Sequence, residues 1–251
     1  MPKPRDFNIP IIMYHEISSS RVSDLSITPA AFEAQLIALR RLGFTPITFT
    51  DLDAILSGIQ ERPRRPVIFT FDDGYENFKR SAFPILTRHD CRAVVFIVTG
   101  KLGKTNIWDK AKKGIRRQRL MSKDDIRELA EAGMEFGSHS HTHADCTALT
   151  SKKRAREIRG SYEIIKKITG RPVMAFCYPY GHHSRELCDY IEVKSMYRFG
   201  VAIQGARARR TTSDRYVLPR VFVKPNDFLM RFLWKVFKRV WWNVDFVKPF
   251  R

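Results

Sequence analysis

Hydrophobic positions along the chain follow two alternating patterns. Short apolar runs occur at residues 9–14 (Ile-Pro-Ile-Ile-Met-Tyr), 67–71 (Val-Ile-Phe-Thr-Phe), 93–98 (Ala-Val-Val-Phe-Ile-Val), 173–177, 199–203 and 217–223. Runs of this length predict buried strands. A short strand is also predicted near 45–48, and residues 134–138 lead into a histidine-rich stretch. Between the runs, apolar residues recur at helical spacing. Phe32, Leu36, Leu39 and Leu42 predict a helix over 29–42 closed by Gly43, and Ser122 with Asp125 resembles an N-cap pattern for a helix over 123–132 closed by Gly133. Further helices are predicted over 51–59, 76–89 (kinked or broken by Pro84), 151–169 (ended by Gly170) and 184–194, with a basic loop at 100–119. Strand and helix in alternation predict an α/β fold built on a parallel sheet or barrel.

The stretch 226–251 has a different pattern. Phe228, Leu229, Phe232, Leu233, Trp234, Val236, Phe237, Val240, Trp241 and Trp242 are interleaved with Arg231, Lys235, Lys238 and Arg239. Basic residues interrupt every apolar run well short of the ~20 residues a spanning helix needs. Two readings fit: an interfacial amphipathic helix, or a last helix packed on the core. The division that follows is a catalytic domain over 1–225 and a basic, aromatic C-terminal helix over 226–251.

Charge bears on that choice. The chain carries a formal net charge of +19, with basic clusters at 110–119, 152–159 and 207–220. Such a balance suits anionic partners and tips the tail toward an anionic membrane surface. Nothing resembles a nucleic-acid module, so no nucleic acid is expected. The 251 residues suffice for one sizeable core, and no internal repeat is visible. Cys91, Cys146, Cys177 and Cys188 form no Cys-x-x-Cys pair, which predicts free buried thiols in a reducing compartment. The first eight residues lack the apolar core of a signal peptide. The expectation is a cytoplasmic protein, peripheral on the inner face of the membrane.

The chemistry is concentrated in two stretches, Thr70-Phe71-Asp72-Asp73-Gly74 and His139-Ser140-His141-Thr142-His143. Alone, an Asp-Asp-Gly is ordinarily a turn and a His-x3-His ordinarily a pair of surface histidines. Together they place two acids and two imidazoles at the C-terminal ends of apolar runs, where open α/β folds and barrels carry their active sites. One Asp with two His suits a zinc-class ion with coordination positions left open. The second Asp is then available as a base, which is the equipment of metal-assisted hydrolysis.

With these residues, and with Pro179-Tyr180-Gly181, the chain resembles the polysaccharide deacetylase family (carbohydrate esterase family 4) over about residues 9 to 223. The family's Thr-Phe-Asp-Asp-Gly motif is intact at 70–74, and its His-Ser/Thr-x-x-His motif is represented at 139–143. The resemblance implies a distorted (β/α) barrel with fewer than eight regular strands. It implies metal-dependent hydrolysis of the N-acetyl group of an amino sugar in a glycan or glycan precursor. Deformylation of a lipid-linked formamido sugar, hydrolysis of another amide, and a non-catalytic glycan-binding role are the alternatives.

The resemblance also implies roles. Asp73, His139 and His143 are the expected ligands of one divalent ion, with zinc preferred over cobalt, nickel or manganese. Asp72 is the expected base, and the Tyr180 backbone N–H the donor to the oxyanion. Pro179, Gly181, Arg220 and Trp108 are expected to contact substrate. His141 is expected to point elsewhere if 139–143 is a helical turn, with Asp145 or Ser140 holding a ligand imidazole. Many members carry an Arg two residues before the Pro of the third motif; here that position is Cys177, and Arg171 or Arg220 could supply the missing charge. The chain has no histidine after His183. The poly-N-acetylglucosamine deacetylase branch places its acid on an N-terminal strand, and Ile12-Met13-Tyr14-His15-Glu16 resembles that arrangement. His15 is therefore the expected general acid, with Glu16 as its partner.

Overall fold

In the computed structural model, which describes residues 9–20, 23, 25–108, 117–194, 196–203 and 215–241, the apolar runs become the wall of a closed barrel. Its strands are β1 (Ile11–Tyr14), β5 (Pro66–Phe71), β6 (Val94–Ile97), β7 (Glu135–Ser138), β8 (Ala175–Cys177), β9 (Phe199–Ile203) and β10 (Leu218–Phe222). All pair in parallel, in the order β1-β10-β9-β8-β7-β6-β5, and β5 returns to β1 with Ile11 opposite Ile68 and Tyr14 opposite Phe71. This is a distorted (β/α) barrel of seven strands, with β4 (Thr45–Pro46) added outside β5. Strands β2 (Glu16–Ile17) and β3 (Ser26–Ile27), which no apolar run announces, form a separate two-stranded sheet on the way from β1 to the first helix.

The helices are α1 (Pro29–Arg41), α2 (Phe49–Leu56), α3 (Phe83–Arg88), α4 (Lys123–Glu131), α5 (Ser151–Thr169), α6 (Arg185–Lys194) and α7 (Leu229–Trp241). Helix α2 starts two residues before the predicted position because Thr48, not Asp51, is its N-cap, with Asp51 closing a capping box onto Thr48. The predicted helix 76–89 is divided: a π turn over Phe78–Ala82 precedes α3, and Pro84 occupies the first turn of α3, where a missing N–H costs nothing.

Two apolar layers result. Ile68, Val94, Phe96, Ala175, Cys177, Phe199, Val201 and Leu218 fill the interior of the barrel together with Ile9, Ile11, Phe49 and Leu52. The larger cluster lies between barrel and helices, with Tyr14, Phe32, Phe71 and Phe78 in mutual ring contact. Helix α7 joins this layer through buried Phe232 and Val236, and Phe237 meets Phe44 edge-on. The opposite side of α7 exposes Met230 and Trp234 by 69% and 56%, and Phe228, just before the helix, is 67% exposed. Lys238 lies over the Trp234 ring at 4.9 Å. No helix among the described residues is long and apolar enough to cross a membrane. Most of the basic stretch 110–119, residues 207–214 and the end of the tail from Trp242 lie outside the described residues.

Candidate active site

Parallel strands place all their C-terminal ends on one face, and the predicted chemistry collects there. Asp72 and Asp73 directly follow β5, His139 follows β7, Pro179-Tyr180-Gly181 follows β8 and His15 follows β1. Five non-glycine residues among those described have left-handed φ, and four of them are Asp73 (69°), Ser140 (63°), His143 (63°) and Tyr180 (59°). Backbone held in this sparsely populated region is typical of functional sites. Gly74 is required where it stands: its φ is 72°, and a Cβ would come within 2.9 Å of Ile97.

Asp73 Oδ1 lies 3.6 Å from His139 Nε2 and 3.4 Å from His143 Nε2, and all three side chains are buried. The histidine stretch is not a helical turn, as left-handed φ at Ser140 and His143 excludes one. Its shape comes from accepting groups around it. Glu157 Oε2 on α5 accepts the backbone N–H groups of His141 (2.9 Å) and Thr142 (2.7 Å), and Oε1 accepts the Thr142 hydroxyl. Ser140 Oγ accepts the His143 N–H at 2.9 Å. His141 is turned aside onto Thr99, with Nδ1 3.0 Å from its hydroxyl.

The ligand rings are held differently from the expectation. The expected holders are engaged otherwise: Asp145 pairs with His182 and Thr147, while Ser140 serves the His143 backbone. Instead the Cys177 carbonyl, 2.9 Å from His139 Nδ1, accepts its N–H. This fixes the tautomer that leaves Nε2 with a lone pair toward Asp73. Trp108 stacks on the His143 ring at 4.7 Å and 12°, and Tyr180 meets that ring edge-on at 4.6 Å. Burial, then the neighbouring His139, lowers the His143 pKa to about 2. Two imidazoles and one carboxylate with converging donor atoms within 4.8 Å of one another fit a divalent metal ion. A second trio, Asp72, His139 and Cys177, is equally compact, but Asp72 and the thiol are already occupied by a cation.

That cation is Arg220. Its side chain is completely buried, and Nη1 and Nη2 donate to Asp72 Oδ1 and Oδ2 at 2.6 and 2.7 Å. Nη2 also reaches Cys177 Sγ at 3.1 Å, and Nη1 reaches Thr70 Oγ1 at 3.2 Å. Burial alone would raise the Asp72 pKa, but the Arg220 guanidinium holds this carboxyl well below the usual carboxylate range. Arg220 thus has no surface left for substrate, contrary to the expectation of direct contact, and is a partner of Asp72. Arg171 is exposed next to Gly170, after the end of α5, and supplies no such charge. Burial raises the Cys177 thiol well above its ordinary value, so it stays neutral beside the pair.

His15 Nε2 lies 4.0 Å from Asp72 Oδ2, with its ring edge-on to Phe222. Glu16, the expected partner of His15, is taken up by the hydroxyls of Ser26 (2.5 Å) and Ser23 (3.1 Å) and by the Asn77 amide (3.0 Å). Glu157 is the site residue that the sequence reading missed. The signal was its place among Arg154, Ile158, Ser161 and Ile165, the buried face of a helix whose other acid and most of whose bases face water.

Comparison with known proteins gives a consistent result. A family model described as polysaccharide deacetylase matches residues 59–198. Bacillus subtilis (strain 168) YxkH is 26% identical over 217 residues, covering 86% of this chain and 72% of that protein. A Staphylococcus aureus (strain MRSA252) protein named poly-beta-1,6-N-acetyl-D-glucosamine N-deacetylase is 23% identical over 225 residues, covering 86% and 74%. The crystal structure of BC0361, a polysaccharide deacetylase from Bacillus cereus, superposes with a TM-score of 0.73 at 26% identity, covering 91% and 68%.

Proposed function

This chain belongs to the polysaccharide deacetylase family, and from that premise we propose that it hydrolyses the N-acetyl group of an amino sugar in a glycan or glycan precursor, releasing acetate. The observation that carries the reading is the adjacency of two assemblies. One acid and two imidazoles converge beside a carboxylate kept ionised by a buried guanidinium. Asp73, His139 and His143 would hold one divalent ion, with zinc the best match to this donor set. When bound, such an ion polarises the acyl carbonyl and acidifies the attacking water.

The chain's own residues do the rest. Asp72 takes the proton of the attacking water as the new C–O bond forms. Its carboxylate is a weak base, which suffices only for an acidified nucleophile. The Arg220 fork uses two of its roughly four lone-pair sites and leaves room to accept that proton. The Tyr180 backbone N–H donates to the developing oxyanion, a contribution of about 3 kcal/mol. His15 then protonates the leaving nitrogen as the C–N bond breaks, so acetate and a free amine depart. A non-catalytic glycan-binding role would require none of this pairing.

Residues 226–251 are proposed to rest on an anionic membrane surface, with 1–225 as the catalytic unit. Exposed Phe228, Met230 and Trp234 supply apolar contact, and Arg231 and Lys238 supply charge. The four separate buried thiols suit the cytoplasmic side. The deciding experiment is acetate release by the zinc-loaded protein from N-acetylglucosamine oligomers, nucleotide-linked and lipid-linked N-acetyl sugars. Release from none of them, by protein with a full metal complement, would overturn the hydrolytic reading.

A further inference from the structure

The loop after β10 and the start of α1 enclose a cavity of about 210 Å³ that plays no part in the chemistry above. It lies at the same end of the barrel as the active site. Ser18, on its wall, is three residues from His15, hence within about 11 Å of it along the chain. The cavity is smaller than the roughly 300–1,000 Å³ of pockets for drug-sized ligands, and is scaled to one ring rather than several.

Its wall combines both signs of charge with neutral hydrogen-bonding groups. Asp227, its side chain 1% exposed, engages Lys235 and the Lys224 N–H through Oδ2. Its Oδ1 faces Arg231 Nε at 3.2 Å but accepts no hydrogen bond among the described residues. The buried Tyr14 phenol, kept protonated by burial and by Asp227, donates to Gln35 Oε1 at 2.7 Å. The Gln35 amide nitrogen is thereby left as the donating end. Lys224, Thr28 and the hydroxyls of Ser18, Ser19 and Ser26 complete the polar lining, and Ile27, Ala31 and Pro225 provide an apolar patch. The Asp227 charge is balanced by Lys235 and Arg231, which leaves its Oδ1 as an acceptor, while Lys224 opposes a cation and donates. A neutral ligand bearing several hydroxyls satisfies both, because each hydroxyl donates and accepts.

We propose that this cavity is a binding site for a distal sugar ring of the glycan substrate, beyond the reacting residue on the β1–β10 side. The proposal rests on the glycan reading above and names a second point of recognition for it. Reaction of the acetamido group at the metal end would then gain from chain length, since a ring seated in the cavity orients the reacting unit.

The test compares the full-length protein with Ala31→Leu, which fills the cavity, and Lys224→Ala, which removes one polar contact; neither residue touches the catalytic groups. Zinc-loaded proteins are assayed for acetate release from β-1,6-linked N-acetylglucosamine oligomers of one to five units. Calorimetric titration with the pentasaccharide is run in parallel on the same proteins. For the wild type, kcat/KM rises with length. Both variants keep the monosaccharide rate and lose about tenfold on the pentasaccharide, in kcat/KM and in affinity. Equal losses at every length, or no loss at any, overturn the site. If no oligomer releases acetate the hydrolytic reading fails separately. The cavity is then judged by titration alone, where wild-type affinity in Ala31→Leu overturns it.

Discussion

The two ends of the barrel each enclose a carboxylate, and the two are treated in opposite ways. At the catalytic end, Asp72 is forked by Arg220 and held well below the ordinary carboxylate range despite complete burial. At the other end, Glu135 opens β7, and burial raises its pKa, with nearby Asp51 adding to the rise. Its Oε2 accepts the Thr50 N–H at 2.8 Å, and the Thr50 and Thr48 side chains oppose the rise, while Oε1 is shut from solvent with no hydrogen-bond partner among the described residues. The neighbouring cation Arg92 is directed to Asp51 instead. Glu135 is only half-buried and Asp72 fully so, yet it is Asp72 whose pKa falls; the placement of one guanidinium decides the sign. At the catalytic end the proposed base needs its charge; at the far end the charge is a burden on stability.

The contrast breaks most severely if the catalytic end loses its ligands. In Asp73→Ala or His139→Ala, bound metal should fall from about one per chain to background by elemental analysis. Acetate release should fall about 10⁴-fold or more, with the metal-free protein still folded. Metal retained at full stoichiometry in both variants would dissolve the centre as drawn. Asp72→Asn should keep the metal and lower kcat about 10²–10⁴-fold, the range of a positioned acid or base. Near-normal kcat there would move the base elsewhere.

Arg220→Met converts Asp72 into a deeper counterpart of Glu135, a buried carboxylate without its cation. Urea denaturation should show a loss of about 3–5 kcal/mol, because the remaining charge is stranded. The double variant Asp72→Asn/Arg220→Met should recover much of that stability while remaining inactive. Additive losses in the double variant would mean that Arg220 stabilises the barrel through its contact with the Phe96 ring rather than through Asp72.

How much of this could be read in advance follows from how local each interaction is. The strands were legible because runs such as Val67–Phe71 and Val94–Ile97 are buried throughout. The candidate metal ligands were legible because Asp73 and the two imidazoles sit in short stretches with fixed spacing. Arg220 was legible only as one of two candidates. It lies 148 residues from Asp72, and its role depends on β10 closing beside β1. Its sign was an arginine between Leu218 and Phe222 on one face of an otherwise apolar strand. The helical turn at 139–143 on which the expectation for His141 was conditioned does not form, because Glu157, which shapes the loop, arrives from α5. Glu135 gave no sign at all, since an acid at the start of a strand is ordinarily solvated.

The smallest expected effect is at Glu135, and it tests the burden directly. A carboxyl whose folded pKa is raised binds its proton more tightly in the folded than in the unfolded chain. Its contribution is therefore fully favourable below the unfolded glutamate pKa of about 4.3, and is lost as pH rises through the folded value. Glu135→Gln removes the ionisation while keeping an oxygen for the Thr50 N–H. Relative to wild type, the variant should be more stable at pH 7 than at pH 4, by about 1 kcal/mol or less in urea midpoints compared at constant salt. Groups elsewhere titrate equally in both proteins and cancel in this difference. A wild-type-to-variant difference that is flat between the two pH values would show that Glu135 carries no charge penalty. The opposition between the two ends of the barrel would then reduce to Arg220 acting at one end alone.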